Sequence, residues 1–445
     1  MTVESMSKQS ATRIALMGML SVAVAIGIGR FAFTPLLPVM LNESWLSLAE
    51  ACWLAESNLL GYFLGAILCS LIPGSWLRLT GRQAPDEILA LAGLAATAAL
   101  TLGMAVPWPE LWPWLRFLSG IASALAFVFT SSWCLRRLAQ QSSTSLAGLI
   151  YCGSGVGIVL GGVLVSATVS MGWGAAAGWK LLGCLVGLLV LWIGYELRRG
   201  HRQVSRRDNV GDSTRAAASA PQSVARPVES PVPHSLSRSV ESLAESLTDT
   251  LGSGVGLGWL MFAYGLAGFG YVITATFLPV MAREVIPGSE WVDWIWPIYG
   301  ISAALGCLAS TRMPAHWDNS RLLAVCYFTQ SVGVVMGLWW PGVAGFVLSS
   351  VLVGTPFTAL TLFAFREVRL RWPHNSTSVI GLMTAVYAIG QILSPPLFGA
   401  LLRSGISHSL VFAWSLHTAS AALLMGGLIW FLAARPLPVR NAMRV

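Results

Sequence analysis

The segment GIGRFAFTPLLPVM at residues 27–40 returns 241 residues later as GFGYVITATFLPVM at residues 268–281. The offset pairs Gly27 with Gly268, Gly29 with Gly270 and Leu37 with Leu278. It also pairs Pro38, Val39 and Met40 with Pro279, Val280 and Met281, which makes six identities in fourteen positions. Each copy sits in an apolar run long enough to be a membrane-crossing helix, and a helix repeated across two halves of a chain is the mark of a bundle built twice.

Outward from these two segments the rest of the chain has the same texture. Its 445 residues are 55% hydrophobic and 10% charged, with a mean hydropathy of +0.69, whereas a soluble domain carries about 25% charge. Apolar runs of about 20 residues match a hydrocarbon core of about 30 Å. The expected spans are 13–40, 50–73, 86–106, 110–135, 145–170, 176–198, 255–281, 291–311, 320–340, 342–366, 376–402 and 408–434. Runs of this length are helices, because barrel strands are about half as long and alternate in polarity. The expected fold is therefore all-α and polytopic, with twelve spans in two bundles of six. A second echo sets GLIYCGSGVGIVL from Gly148 against GLMTAVYAIGQIL from Gly381, pairing Gly148 with Gly381 and Gly157 with Gly390.

Basic residues fix the expected orientation. With the N-terminus in the cytoplasm, twenty-two of the twenty-seven Lys and Arg fall on the cytoplasmic side. Only Lys180, Arg283 and Arg403 fall outside, while Arg30 and Arg116 lie within spans. This positive-inside asymmetry places both termini in the cytoplasm. It also explains the +8 net charge as attraction to anionic lipid, with no nucleic-acid module present. Trp108, Trp112, Trp114, Trp291, Trp294, Trp296, Trp339 and Trp340 are expected in an outer aromatic belt. The first run lacks a small-residue cleavage site before Arg30 and is expected to be a retained helix. Expected localisation is the plasma membrane, multi-pass, with the bilayer itself as partner.

Residues 1–198 and 255–445 form the two expected bundles, joined by a cytoplasmic linker at 199–254. That linker is rich in Ser, Arg, Pro and Ala and buries too little apolar surface to fold alone. Within it Val240, Leu243, Leu247 and Leu251 recur at three- and four-residue steps, which suggests a short surface helix near 240–251. The seven cysteines contain no CxxC pair, so neither a metal site nor a cofactor is expected.

Motifs narrow the fold further. Arg116 and Gly120 in RFLSG resemble the RxxxG motif in the fourth helix of the major facilitator superfamily. GSGVGIVLGG from Gly153, with Gly155, Gly157 and Gly161, is similar to the Gly-rich fifth-helix motif of many antiporters, although Val156 stands where those carry proline. GSWLRLTGR from Gly74 keeps Gly74, Gly81 and Arg82 of the loop motif between helices two and three, with Arg78 at its aspartate position. GIGRFAFTPLLPVM, SNLLGYFLGA from Ser57 and the YCGSGVG segment from Tyr151 resemble the YbfB/YjiJ branch of that superfamily. The resemblance implies two parallel halves rocking about a central site, and a monomeric transporter; it supplies no cargo.

A charge near the bilayer centre costs at least about 2.5–3.5 kcal/mol, so each is a functional candidate. Arg30, Glu56 and Arg116 lie about 15, 9 and 11 Å from their outer ends at 1.5 Å per residue, and are expected to form one polar cluster. Its uncompensated positive charge favours an organic anion. Two alternatives stand beside this: Arg116 as a brace on a neighbouring helix, and Glu56 as either a proton carrier or a static partner of Arg30. Asn58, Tyr151, Tyr271, Tyr387 and Gln391 offer hydrogen bonds near mid-helix, with Tyr271 at the repeat position of Arg30. Gly27, Gly29, Pro38, Gly120, Gly155, Gly157, Gly161 and Pro279 are candidates for helix packing or gating. Pro395 and Pro396 are expected to kink the eleventh span. Asp293 and His417 are weaker candidates.

Only two lysines occur, neither in a GxxxxGK[ST] loop, which excludes an ATP-driven pump. No HExxH or GxSxG is present, so the chain is not expected to be an enzyme. What remains is a secondary transporter of a small organic solute working by alternating access, expected to be proton-coupled, with efflux favoured by the Gly-rich fifth helix. An uncoupled facilitator and a non-transporting solute sensor are the alternatives.

Overall fold

The computed structural model describes residues 3–82, 85–141, 143, 146–215, 255–314, 317–372 and 376–434, which are helical with short turns and contain no strand. Twelve helices are long and apolar enough to cross a membrane: Ala11–Asn42, Leu48–Cys69, Asp86–Gly103, Trp112–Gln140, Ala147–Ser170, Ala175–Arg199, Gly256–Val285, Val292–Thr311, Asn319–Trp339, Val343–Arg371, Val379–Arg403 and His408–Leu432. They are called here the first to twelfth spans. The second continues as helix to Thr80 and the sixth to Arg215, so both run past their expected ends at 73 and 198. The expected surface helix near 240–251 lies outside the described residues.

The repeat is physical as well as textual. Thr34 Oγ1 donates to the Ala275 carbonyl at 3.0 Å, and these two residues are separated by the same 241 positions as the sequence repeat. Equivalent points of the first and seventh spans therefore touch one another, as they must where two copies meet on a pseudo-twofold axis. These are also the two spans most enclosed by protein, 72% and 89% buried over their apolar windows. Their lack of a polar face follows: every side is covered by neighbouring helices.

The fifth and eighth spans form a second junction between the halves. A Cβ at Gly148 would collide with Thr311 Cγ2; at Gly155 it would lie 2.5 Å from Ala304 N, and at Gly162 2.8 Å from Pro297 Cδ. Along the same seam the Cys152 and Cys307 sulfurs both lie against the Gly148 carbonyl, at 3.4 and 3.7 Å, and Ser166 Oγ donates to the Asp293 carbonyl at 2.8 Å. In all five pairs the residue numbers add to 459, the signature of two antiparallel helices held in one register. The glycines recur every seven residues, the period that keeps a seam facing its partner, and their small size lets the backbones close.

Polar clamps at the face bearing the termini hold each half together. In the N-terminal half Asp86 pairs with Arg136 at 2.7 Å, Glu87 with Arg137 at 3.3 Å, and Arg13 with Glu196. In the C-terminal half the buried Glu367 accepts from Asn319 Nδ2 at 3.2 Å, Ser320 Oγ at 3.3 Å and Arg371 Nε at 2.5 Å. Arg371 also donates to the Ala433 carbonyl at 2.9 Å, so one cluster ties the ninth, tenth and twelfth spans. At the other face Glu43 accepts the Ala175 N–H at 3.0 Å, satisfying an orphan donor at the start of the sixth span.

Two expectations change. Trp108, Trp114, Trp291, Trp294, Trp339 and Trp340 are exposed, but Trp112 and Trp296 are buried. Trp112 stacks on Trp45 and donates to the Val106 carbonyl, and Trp296 stacks on Tyr299, so neither belongs to an interfacial belt. The eleventh span stays helical over Ser376–Arg403 with Pro395 and Pro396 inside it, where two backbone donors are absent, and the irregular backbone segment lies in the first span. Gly161 has no neighbour within 4 Å of an added Cβ, so it closes no helix contact.

Gly120 is the opposite case. A Cβ there would run into the Asn58 carbonyl and stand 2.5 Å from Tyr62 N, both backbone atoms of the second span that cannot move aside alone. Gly120→Ala is expected to destabilise the protein by about 1–3 kcal/mol through overpacking, whereas Gly161→Ala should change stability by less than about 1 kcal/mol. Thermal unfolding of the two variants in detergent checks the contrast.

Candidate functional site

The first span does not remain an α-helix. Residues Val3–Val22 are α-helical, Ala23–Ile28 form a π-helix, residues 29–32 are turn, and the α-helix resumes at Phe33–Asn42. Gly29 N–H bonds back to the Val24 carbonyl at 2.8 Å, a five-residue step. Such bulges interrupt the regular ladder and cluster at functional sites. Gly27 packs so closely on Gly157 that an added Cβ would meet its backbone, and a Cβ on Gly29 would lie 2.7 Å from Ser123 Oγ. Arg30 stands in the turn that follows.

Carbonyls left without a helical partner by the break are taken up by the fourth span. Ser119 Oγ donates to the Gly29 carbonyl at 3.1 Å, and Arg116 NH2 donates to the Arg30 carbonyl at 3.3 Å. Arg116 is buried, with its guanidinium 4.9 Å over the Phe33 ring. Its own carbonyl accepts from Asn58 Nδ2 at 3.0 Å. Arg116 and Asn58 thus hold the broken segment in place through the backbone. The Arg116 Nε, buried beside Phe33, has no hydrogen-bond partner among the described residues.

The Arg30 side chain crosses to the other half, where its NH2 donates to Gln391 Oε1 at 2.9 Å, and Gln391 Nε2 donates to Tyr271 Oη at 2.5 Å. Arg30 and Tyr271 are repeat equivalents, so one glutamine of the eleventh span bridges the two symmetry-related positions. Gly268 and Gly390 make this possible, since a Cβ on either would strike the backbone of Tyr387 or Gly265 and force the seventh and eleventh spans apart.

Aromatic rings surround the bridge. Arg30 lies 5.5 Å over Phe31 and 5.0 Å over Tyr62. Tyr271 stacks with Tyr387 at 6.0 Å and meets Phe357 at 5.3 Å. Phe357 meets Phe31 at 5.8 Å and Tyr299 at 6.0 Å. Tyr271, Tyr299, Phe31 and Gln391 are buried, but Arg30, Tyr62, Phe357 and Tyr387 keep part of their surface accessible. Tyr151, also half-buried, lies against Phe127 at 6.1 Å.

Glu56 does not join this arrangement. It is half-buried on the second span, and among the described residues it forms no ion pair with Arg30 or Arg116. The expected three-residue cluster is therefore two arginines linked through a carbonyl, with the acid apart. Asp293 pairs with Arg283 at 2.6 Å, and His417 is exposed with its ring bonded to the Ala413 carbonyl. Among the described residues no group of three His, Cys, Asp or Glu could hold a metal ion. Phe357, Tyr62 and Tyr299 were not singled out from sequence. An aromatic on an apolar helix carries no signal until the rotation of that helix is known.

Comparison with known proteins agrees with this architecture. Residues 22–223 and 231–431 match the family described as "Uncharacterised MFS-type transporter YbfB". No curated protein sequence matches the chain. Among solved structures it is similar to a point mutant of the nucleoside transporter NupG, with a TM-score of 0.69 at 13% identity, covering 94% of this chain and 99% of that one. A second structure of nucleoside transporter NupG gives a TM-score of 0.64 at 13% identity, covering 95% and 98%. Such low identity speaks for the shared fold alone. With the family match spanning both halves, the chain belongs to the YbfB-type family of major facilitator superfamily transporters and is a multi-pass plasma-membrane protein.

Proposed function

We propose that this transporter carries a small organic anion by alternating access, with Arg30 as the solute-binding cation and with solute movement linked to protons. The observation that carries the reading is the placement of Arg30. Its guanidinium lies at a helix break on the axis between the halves, bonded only to a neutral amide of the opposite half, with no carboxylate within 4.0 Å among the described residues. Transporter sites lie at the repeat interface near unwound helix, and an intramembrane charge without a counter-ion is costly unless a ligand supplies one. A solute carboxylate that displaces Gln391 from Arg30 would loosen one bond between the halves, which gives binding a route to motion. The arginine-rich face bearing the termini is read as cytoplasmic.

A nucleoside-like solute is the second reading. The aromatic ring of side chains favours it, and it is the solute in the name of the structural neighbour. It would leave Arg30 without a counter-ion, which is why the anion is preferred. Membrane vesicles holding the protein and a trapped pH dye test both: organic anions should collapse an imposed proton gradient, and nucleosides should not. The reverse result would reverse the assignment.

Glu56 is the proposed proton carrier, because it is half-buried in a span and, among the described residues, held by no hydrogen bond or ion pair. A carboxyl must exchange its proton with each side in turn, and a fixed partner would hold it charged. Glu56→Gln is expected to leave solute exchange intact while abolishing accumulation driven by the proton gradient. If solute and proton fluxes stay coupled in that variant, Glu56 is not the carrier.

A further inference from the structure

We infer that the solute is an aromatic monocarboxylate, a flat ring bearing one anionic head, with Arg30 taking the head and Tyr62, Tyr387 and Phe357 taking the ring. The inference rests on the organic-anion reading and narrows it. One of the two arginines keeps accessible surface, Arg30, since Arg116 is buried against Phe33 with one terminal nitrogen on the Arg30 carbonyl. A single guanidinium suits one carboxylate; a dicarboxylate or a phosphate ester would leave charge without a partner. Arg30 has donors to spare, since a guanidinium carries five N–H groups and one terminal nitrogen is bonded to Gln391.

The walls decide what the head is attached to. The rings with accessible surface come from both halves: Tyr62 beside the guanidinium on the second span, Phe357 on the tenth, and Tyr387 one helical turn before Gln391 on the eleventh. Behind them lies a buried second layer: Tyr271 and Tyr299 each meet the Phe357 ring, and Trp296 stacks on Tyr299. A planar π-face gains from such walls beyond the area it buries, and an aliphatic chain of equal size does not. Tyr299 supplies an independent sign: it is fully buried, in ring contact with Phe357, and its hydroxyl has no hydrogen-bond partner among the described residues. A buried hydroxyl is ordinarily paired, and a polar substituent on the ligand would pair it.

The test compares ligands that differ only in the ring. Purified protein in liposomes is loaded with labelled benzoate or phenylacetate, and exchange is competed by the unlabelled acids, by cyclohexanecarboxylate and cyclohexylacetate, and by benzyl alcohol. The aromatic acids should compete about two- to tenfold better than their saturated counterparts, the range one aromatic contact supplies, and benzyl alcohol should not compete. Tyr387→Phe should keep the preference and Tyr387→Leu should erase it. If the leucine variant fails to fold, the wild-type comparison and Tyr387→Phe still decide. Equal competition by saturated and aromatic acids would overturn the ring assignment and leave the anion reading in place. No protein-dependent exchange of labelled benzoate or phenylacetate would overturn the ring assignment, and the same absence with labelled cyclohexanecarboxylate would overturn the anion reading with it.

Discussion

Arg30→Gln should reduce solute transport at least about 30-fold while the protein still folds, because truncating one partner of a buried charged contact typically costs 2–5 kcal/mol. The fold should survive because what holds the first span's break is not the Arg30 side chain. Its carbonyl, which the substitution keeps, is the atom bonded by Arg116, and Gln391 retains its bond to Tyr271. Arg30→Lys should fall between, since the ammonium keeps the charge but loses the planar fork that meets a carboxylate with two parallel bonds. Arg116→Gln behaves differently in this structure. It strands a carbonyl at an irregular backbone segment and removes a ring contact, so transport and thermal stability should decline together. Uptake into vesicles measured beside melting in detergent separates the two arginines. Undiminished uptake by Arg30→Gln would remove it from the site.

Most of the architecture could be read from the chain because hydrophobic span length and arginine placement are strong, one-dimensional signals. All twelve spans follow from the first of these, and the 27–40/268–281 repeat shows in the residues themselves. The site was legible in part. Arg30, Tyr271, Tyr387 and Gln391 were named as separate polar residues, but the bridge among them depends on helix rotation and on the 361 residues separating Arg30 from Gln391. Glu56 looked like a member of the same layer by depth, and depth along a helix says nothing of the direction a side chain faces. The π-helix at Ala23–Ile28 left no mark beyond its glycines. The seam of the fifth and eighth spans did leave one: Gly148, Gly155 and Gly162 recur every seven residues, a period more informative about the partner helix than the GSGVGIVLGG motif that overlaps it.

Oxidising Cys152 to Cys307 should stop transport, and that seam is the reason. Both sulfurs lie against the Gly148 carbonyl, at 3.4 and 3.7 Å, and they come from opposite halves. Copper phenanthroline, a membrane-permeant oxidant, would take two electrons from the pair as each thiol releases a proton, leaving one covalent bond between the bundles. The polar clamps at the terminal face make each bundle stiff within itself, so motion between them must be taken up where they meet. Gly148, Gly155 and Gly162 keep the fifth and eighth spans close enough to pivot but small enough to slide. A bond about 8 Å inside the seam, at 1.5 Å per residue, would fix both angle and register and hold the halves in the arrangement seen here. Dithiothreitol should restore transport, and Cys152→Ser and Cys307→Ser should each resist the oxidant while transporting normally. Bond formation is checked by cleaving the chain between the halves after oxidation and asking whether they migrate as one band. A joined protein that still moves solute at its original rate would mean that the halves do not turn about this seam, and that the path to Arg30 opens by bending single helices instead.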